Sequence, residues 1–578
     1  MSMSWPLKSP AEHADTFARV SSSRSPQDAI AAFAGGAVPH TILSCCQGAL
    51  LGMLDTETVL PLRSTCSDAL RAIAAHPWED TATTILGHLG PALLPAGPGV
   101  QKGAWRGCFP NARAACISEL VFHPQKPRRA PVVDEDFVHL KGLRALSMCG
   151  CLRVTDAAFV HLAGSIQTLD MRDCHQASIT DAAFEHLKGI KSLTMSDCKQ
   201  PTITDAAFAH LAGIQALDMG GCNQATITDA GFAHLRGVKS LRMSACTQHT
   251  ITDAAFEHLK GIQKLSMWGC NQPTITDAAF AHLAGIQSLR MSRCNQEGIT
   301  DAALSYLQGI HTLDLEGCTQ LTGAALQYLA GIDTLSLRLC NQASITDADF
   351  AHLRGVRDLN VSYCQQLSHR AFEHLGGVQV LDIGMCAQLT DAALAHCGAD
   401  VKILTAYDCT GLGDGAFTHL KKLRKIVMWR CSQVTDAVRG EPASLPFSCA
   451  APSPFKPFTP SHLNPPTTQA FANLGLLEDL DMTSCYSEAI TDAAFAHLHS
   501  LKTLRMNECK QPTITDAAFA FFGKLETLYM QGCTQASITA AAFKHLPAAC
   551  NLILDETRRD QVEAAPHLLK AYFCPPYD

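Results

Sequence analysis

Aromatic residues make up only 6% of this 578-residue chain and charged residues only 17%. Basic residues are not in excess, since 45 Lys and Arg face 53 Asp and Glu for a net charge of -8. Binding bare nucleic acid by counterion release needs clustered cations, so the expected partners are proteins and not nucleic acid. No run reaches the roughly 18 to 20 apolar residues of a membrane-spanning helix, so no membrane partner is expected. The start, MSMSWPLKSPAEHADTF, has no basic stretch followed by an apolar one, so no secretory leader is expected. Also absent are a phosphate-binding glycine loop of the Walker or Rossmann type, a compact metal-ligand motif and a nucleophile signature. The expectation is a protein without catalytic residues, cofactor or metal.

What is present is apolar mass and cysteine. Hydrophobic residues are 47% of the chain and there are 26 cysteines. Without an export signal they read as reduced thiols of a cytoplasmic or nuclear protein. Most of them are periodic. Cys151, Cys174, Cys198, Cys222, Cys246, Cys270, Cys294, Cys318, Cys340, Cys364, Cys386, Cys409 and Cys431 follow one another at 22 to 24 residues, and Cys485, Cys509 and Cys533 resume the series. Each stands in a near-copy of L-x-M-x-x-C-x-Q-x-x-I-T-D-A-A-F-x-H-L-x-G-I. The 22-residue copies are shorter only between Cys and Thr, as in CTQLTG against CNQATITD.

A fixed period of this length marks a solenoid. Within one copy, Leu217 and Met219 alternate with Ala216, Asp218 and Gly220, the period of a strand. Thr228 and Asp229 open a helix as N-cap and dipole partner. Phe232 and Leu235 form its inner face, and Gly237 ends it. Stacked strands lie about 4.8 Å apart, which turns the cysteines into a ladder. Metal binding needs about four ligands converging on one point, so a line of buried small hydrophobes is the preferred reading. His161, His186, His210, His234, His258, His282, His352 and His374 occupy a slot that Tyr306, Tyr328 and Phe521 fill elsewhere, which points to packing rather than ligation. The recurring Gln two residues after Cys, as in Gln176, Gln200, Gln224 and Gln320, is expected to stack amide on amide or to satisfy turn backbone.

The phrases IQALDMGGC and IHTLDLEGC resemble the leucine-rich repeat family in its cysteine-containing subclass, with Met standing where Leu is usual (Met171, Met219, Met243, Met291). The resemblance implies an α/β solenoid, a leucine-rich-repeat horseshoe with parallel strands on the concave face and helices on the convex face. Between Gly48 and Asp80, residues Leu51, Leu54, Asp55, Leu60, Leu62, Arg63, Cys66 and Trp78 resemble an F-box, the helical motif that docks substrate receptors on the adaptor of cullin–RING ubiquitin ligases. That resemblance implies adaptor binding through Leu51, Leu54, Leu60 and Leu62. Together they imply a ubiquitin-ligase substrate receptor, with a general interaction scaffold as the alternative.

The expected organisation is a flexible or helical segment (1–39), the F-box-like motif (40–80), a linker and cap (81–115), repeats (116–440), a Pro-rich insert (441–468), further repeats (469–555) and a C-terminal cap (556–578). Residues 441–466 hold eight prolines, which break helices and remove backbone donors. Within the repeats the outward strand positions vary while the others hardly change. Solenoids bind on such a face, and Trp, Tyr and Arg dominate interface energetics. The candidate contact residues are therefore Trp268, Arg290, Arg293, Arg338, Tyr363, Tyr407, Trp429 and Arg430.

Overall fold

The computed structural model describes residues 111–117, 131–431, 471–487 and 490–574, apart from 564, 566 and 569. The F-box-like motif with Leu51, Leu54, Leu60 and Leu62 and the Pro-rich insert lie outside the described residues. The chain divides into two compact units, Met1–Ser266 and Met267–Asp578.

In the first unit seven three-residue strands, from Ala114–Cys116 to Lys264–Ser266, pair parallel in chain order. Leu146, Leu169, Leu193, Leu217, Leu241 and Leu265 stand in register, rung on rung. Each strand is followed by a turn, a helix of one or two turns and a return to the next strand. The second unit repeats this arrangement from Ser288–Arg290 to Asn551–Asp555. One further strand, Lys570–Cys574, pairs parallel with Asn551–Asp555. The sheet thus runs one strand beyond Asn551–Asp555, into the stretch expected as a C-terminal cap. Both units are leucine-rich-repeat solenoids.

The core follows from the repeat. Leu217, Met219, Cys222, Ile227, Phe232 and Leu235 are all at most 2% exposed, and their counterparts along both units are buried. Burying one such large apolar side chain contributes about 1.5–3 kcal/mol. No single copy encloses a core by itself; its apolar faces are covered by the copies on either side.

Three polar ladders join neighbouring copies, and each accounts for one recurring position. The first belongs to cysteine. Cys198 Sγ donates to the carbonyl of Met171 (3.2 Å), Cys222 to Met195 (3.1 Å) and Cys246 to Met219 (3.2 Å). In the second unit Cys364 reaches Leu337 (3.1 Å) and Cys509 reaches Met482 (3.1 Å). The thiol fills a small apolar space and caps a strand-end carbonyl of the preceding copy. Burial pushes the Cys174, Cys222 and Cys485 thiols up from 9.0 to about 12.

Glutamine forms the second ladder. Gln200 Nε2 donates to the Cys174 carbonyl (3.0 Å) and Gln224 Nε2 to that of Cys198 (3.1 Å). In these copies the amide satisfies turn backbone, as one of the two expectations had it, whereas the buried amides of Gln248, Gln272, Gln296, Gln511 and Gln535 make no hydrogen bond among the described residues. The other, amide stacked on amide, is not what these side chains do. Gln320, in a shortened copy, is exposed.

Aspartate and threonine form the third. The Asp205 carboxylate accepts from Thr228 N (2.8 Å) and Thr228 Oγ1 (2.6 Å), one copy further on. Thr228 Oγ1 in turn accepts from Ala230 N (3.2 Å), as an N-cap does. The sequence suggests Asp only as a dipole partner of its own helix; in the structure it clamps the next copy. In one copy that lacks the clamp, a local cap replaces it. Gly323 stands in place of Asp, and Thr346 in the next copy bonds instead to Asp349 of its own helix (2.7 and 2.8 Å). A Cβ at Gly323 would lie 2.0 Å from Asp349 Oδ2, so that carboxylate takes up the room.

Candidate protein-binding face

The candidate residues all lie in the second unit, and the structure brings five of them into one linked row. Glu316 accepts from Arg338 (2.8 Å) and pairs with Arg293 (3.4 Å). The Arg338 guanidinium lies 5.0 Å above the Tyr363 ring. Tyr363 meets Tyr407 edge to face at 6.3 Å, and Tyr407 meets Trp429 at 6.1 Å. Arg430 pairs with Asp408 at 4.0 Å beside Trp429. Arg290 pairs with Asp314 (3.0 Å), one strand away from Glu316. Trp268 is half-buried and no ring or ion-pair contact joins it to the others among the described residues.

The local sequence explains why the rings meet. The slot after the second core position reads Arg338, Ser362, Gly384, Tyr407, Trp429. The two small residues leave a hollow between Arg338 and Tyr407. Tyr407 leans into it, and a Cβ at Gly384 would sit 2.2 Å from its ring. Tyr363 fills the rest from the turn. The turn position is itself special, because Arg293, Tyr363 and Arg430 have φ of 58°, 65° and 55°. The residue before each Cys is left-handed throughout, and Gly takes that place in Gly221, Gly269 and Gly317. Arg293, Tyr363 and Arg430 are therefore turn residues and not strand residues, held by a backbone that costs a non-glycine residue about 1–2 kcal/mol.

The electrostatics are those of a partly dried surface. Tyr407 is pushed up to about 12 by burial, then by its hydrogen bond with Tyr363 and the charge of Asp382. Burial also raises Asp382, opposed by the Gly384 N–H and by Arg338. Burial lowers Arg338, but Glu316 and the two tyrosines outweigh it and the net shift is upward. Trp429 is 43% exposed, a large ring on the outside. Among the described residues no group of three His, Cys, Asp or Glu is placed to hold a metal ion.

The outward columns continue past the insert as Asp481, Arg505 and Tyr529, which the choice of candidates leaves out. Arg505 lies 4.9 Å above the Tyr529 ring and pairs with Asp479 (2.7 Å). Extending the same two columns beyond Trp429 would have found them.

The profile of the BspA type leucine rich repeat region matches six copies, at residues 153–287, 225–356 and 459–557. The chain belongs to that leucine-rich repeat family. No curated protein sequence matches it. Among solved structures, this repeat chain is similar to one described as the TLR13–ssRNA13 complex, at 17% identity and a TM-score of 0.50. The match covers 77% of this chain and 61% of that one, and it concerns the fold. A structure described as the Rad7 and Elc1 complex in yeast matches at 17% identity and a TM-score of 0.36, over 49% of this chain and 80% of that one.

Proposed function

We propose that the protein is a protein-binding repeat scaffold whose contact face lies in residues 267–578. The observation that carries this reading is the linked row of Arg338, Tyr363, Tyr407 and Trp429. These residue types dominate interface energetics when a partner covers them. Their prior ordering lowers the entropy cost of binding. The partner is a protein rather than a nucleic acid, in keeping with the acidic balance of the chain, and the role is binding rather than catalysis. No helix among the described residues is long and apolar enough to cross a membrane. The described cysteines from Cys116 to Cys550 are buried and unbridged, which supports a cytoplasmic or nuclear site of action.

The finer reading makes the chain a substrate receptor of a cullin–RING ubiquitin ligase, its F-box-like segment holding the adaptor through Leu51, Leu54, Leu60 and Leu62. Its support is the sequence resemblance of that segment. The test uses the full-length chain. Affinity purification followed by mass spectrometry compares the wild type with an Arg338→Ala/Tyr407→Ala/Trp429→Ala variant. Loss of a bound protein in the folded triple variant is the expected result, and unchanged binding partners would overturn the contact face. Purified adaptor is titrated in parallel. Binding abolished by Leu54→Asp and by Leu60→Asp is expected of a receptor, whereas no binding by the wild type leaves the scaffold reading alone.

A further inference from the structure

A second surface lies on the rim where each helix returns to the sheet. The residue just before each strand donates its backbone N–H to the carbonyl of the equivalent residue one copy earlier. In the first unit this ladder runs Arg144, Gln167, Lys191, Gln215, Lys239, Gln263, with N···O distances of 2.7 to 3.0 Å. Every second rung is a cation and the rungs between are glutamine. Strand spacing puts alternate rungs about 10 Å apart, about one Debye length at 0.1 M salt and slightly more than the roughly 8 Å of physiological salt, so their potentials add most strongly at low salt. A few residues earlier, where the helix ends, Lys188, Arg236 and Lys260 add charge to the same rim. All six cations are exposed.

Among the described residues none of the six forms an ion pair. Arg236 reaches the His258 ring, at 3.4 Å. Glu185 and Glu257 stand on the helices that lead to Lys188 and Lys260 but pair with neither. The equivalent ladder in the second unit is interrupted by acids that neutralise part of it, although Lys402 reaches Gln379 (2.9 Å) and Arg354 the His374 ring (3.4 Å) rather than a carboxylate. There Asp333 pairs with His311 (3.3 Å) and Arg357 (3.8 Å), and Glu478 pairs with Arg424 (2.6 Å) and Lys502 (2.5 Å). The same backbone position thus carries unopposed positive charge in one unit and alternating charge in the other, in a chain whose net charge is -8.

We infer that this rim of the first unit is a docking surface for an acidic protein segment, separate from the aromatic row. The file is short, and the rest of the chain carries a negative balance that repels a long polyanion. A brief run of Asp or Glu in an extended segment meets the cations without entering that field. The contact does not depend on the aromatic face being a binding site.

The test is fluorescence anisotropy on the full-length protein. One probe is a labelled ten-residue glutamate peptide and the other a labelled ten-nucleotide oligouridine, each at low and at physiological salt. Lys191→Glu/Lys239→Glu is expected to weaken the peptide at least tenfold. Lys191→Gln/Lys239→Gln, which copies the residue of the intervening rungs and so keeps the fold, is expected to weaken it less. Lys510→Glu/Lys524→Glu, an equal change of charge on exposed sites of the second unit, is expected to weaken it less than twofold. Equal losses in the two charge-reversed variants, or no peptide binding by the wild type at low salt, would overturn the proposal. Tighter binding of oligouridine than of peptide would overturn it in favour of a nucleic-acid surface.

Discussion

The two units share a frame and differ in what the frame displays. In residues 1–266 the described strand face is small or self-paired: Arg172 grips Asp170 with two bonds (2.9 and 2.8 Å), and Gly220 and Ser244 occupy neighbouring outward positions. The charge of that unit is left on the rim. In residues 267–578 acids neutralise part of the rim and the strand face carries the aromatic row. The comparison teaches that a repeat separates the two tasks of its residues. Positions that face the neighbouring copy are held by the ladders, and positions that face outward are free to change.

The largest effects should fall on the shared frame and should not distinguish the units. Phe208→Ala in the first and Phe350→Ala in the second each remove a fully buried ring, with an expected loss of about 3–5 kcal/mol, read by denaturant unfolding of the full chain. A much smaller loss in one unit would show that its core is not the same core.

The clamp sharpens the comparison next. Asp205→Ala leaves Thr228 without its acceptor and should cost about 1–3 kcal/mol. Gly323→Asp should be destabilising alone because Asp349 occupies the space, and Asp349→Ala should be destabilising alone because Thr346 loses its cap. The double variant should regain most of the stability, since it rebuilds the clamp found elsewhere. Additive losses in that cycle would contradict the exchange of one cap for the other.

Thiol ionisation gives a smaller, pH-dependent effect. An unfolded thiol ionises near 8.5, whereas burial holds Cys174 and Cys222 at about 12. Between those values the unfolded state has lost protons that the native state retains. Stability is therefore fully present below about pH 8.5 and falls as pH rises above it. Unfolding midpoints from pH 7 to pH 10 should show that fall, and Cys222→Ala should flatten it slightly while lowering stability at pH 7.

The smallest effect concerns the turn. Ala245 has φ of 56° in the first unit where Gly221 and Gly269 are glycine. Ala245→Gly should stabilise by up to about 1 kcal/mol, measured by thermal unfolding. Tyr363 cannot be exchanged in this way, because its ring supports Tyr407. Tyr363→Phe instead removes a hydrogen bond that raises Tyr407, so an absorbance titration should show that phenol ionising below about 12.

The solenoid was legible because one copy repeats its apolar period many times, and Leu217, Met219, Phe232 and Leu235 face inward as the period requires. The polar ladders were less legible. Asp205 and Thr228 occupy different copies, so each reads locally as a helix-start residue. Only the joint exception at Gly323 and Asp349 betrays a bond across copies. The contact columns could be read as far as Trp429, and the insert hid their continuation to Arg505 and Tyr529. The left-handed turn beneath Tyr363 left a trace in the sequence as well, since glycine recurs before cysteine in other copies.

The central claim is that outward diversity in the second unit marks the contact face. The most direct measurement places a photo-crosslinking phenylalanine analogue at position 429 in the full-length protein, and separately at position 242 on the strand face of the first unit, in the native cell. The account predicts a discrete protein adduct at 429, lost in the Arg338→Ala/Tyr407→Ala background, and none of comparable yield at 242. Equal adducts at both positions, or an adduct at 429 that survives those substitutions, would contradict it.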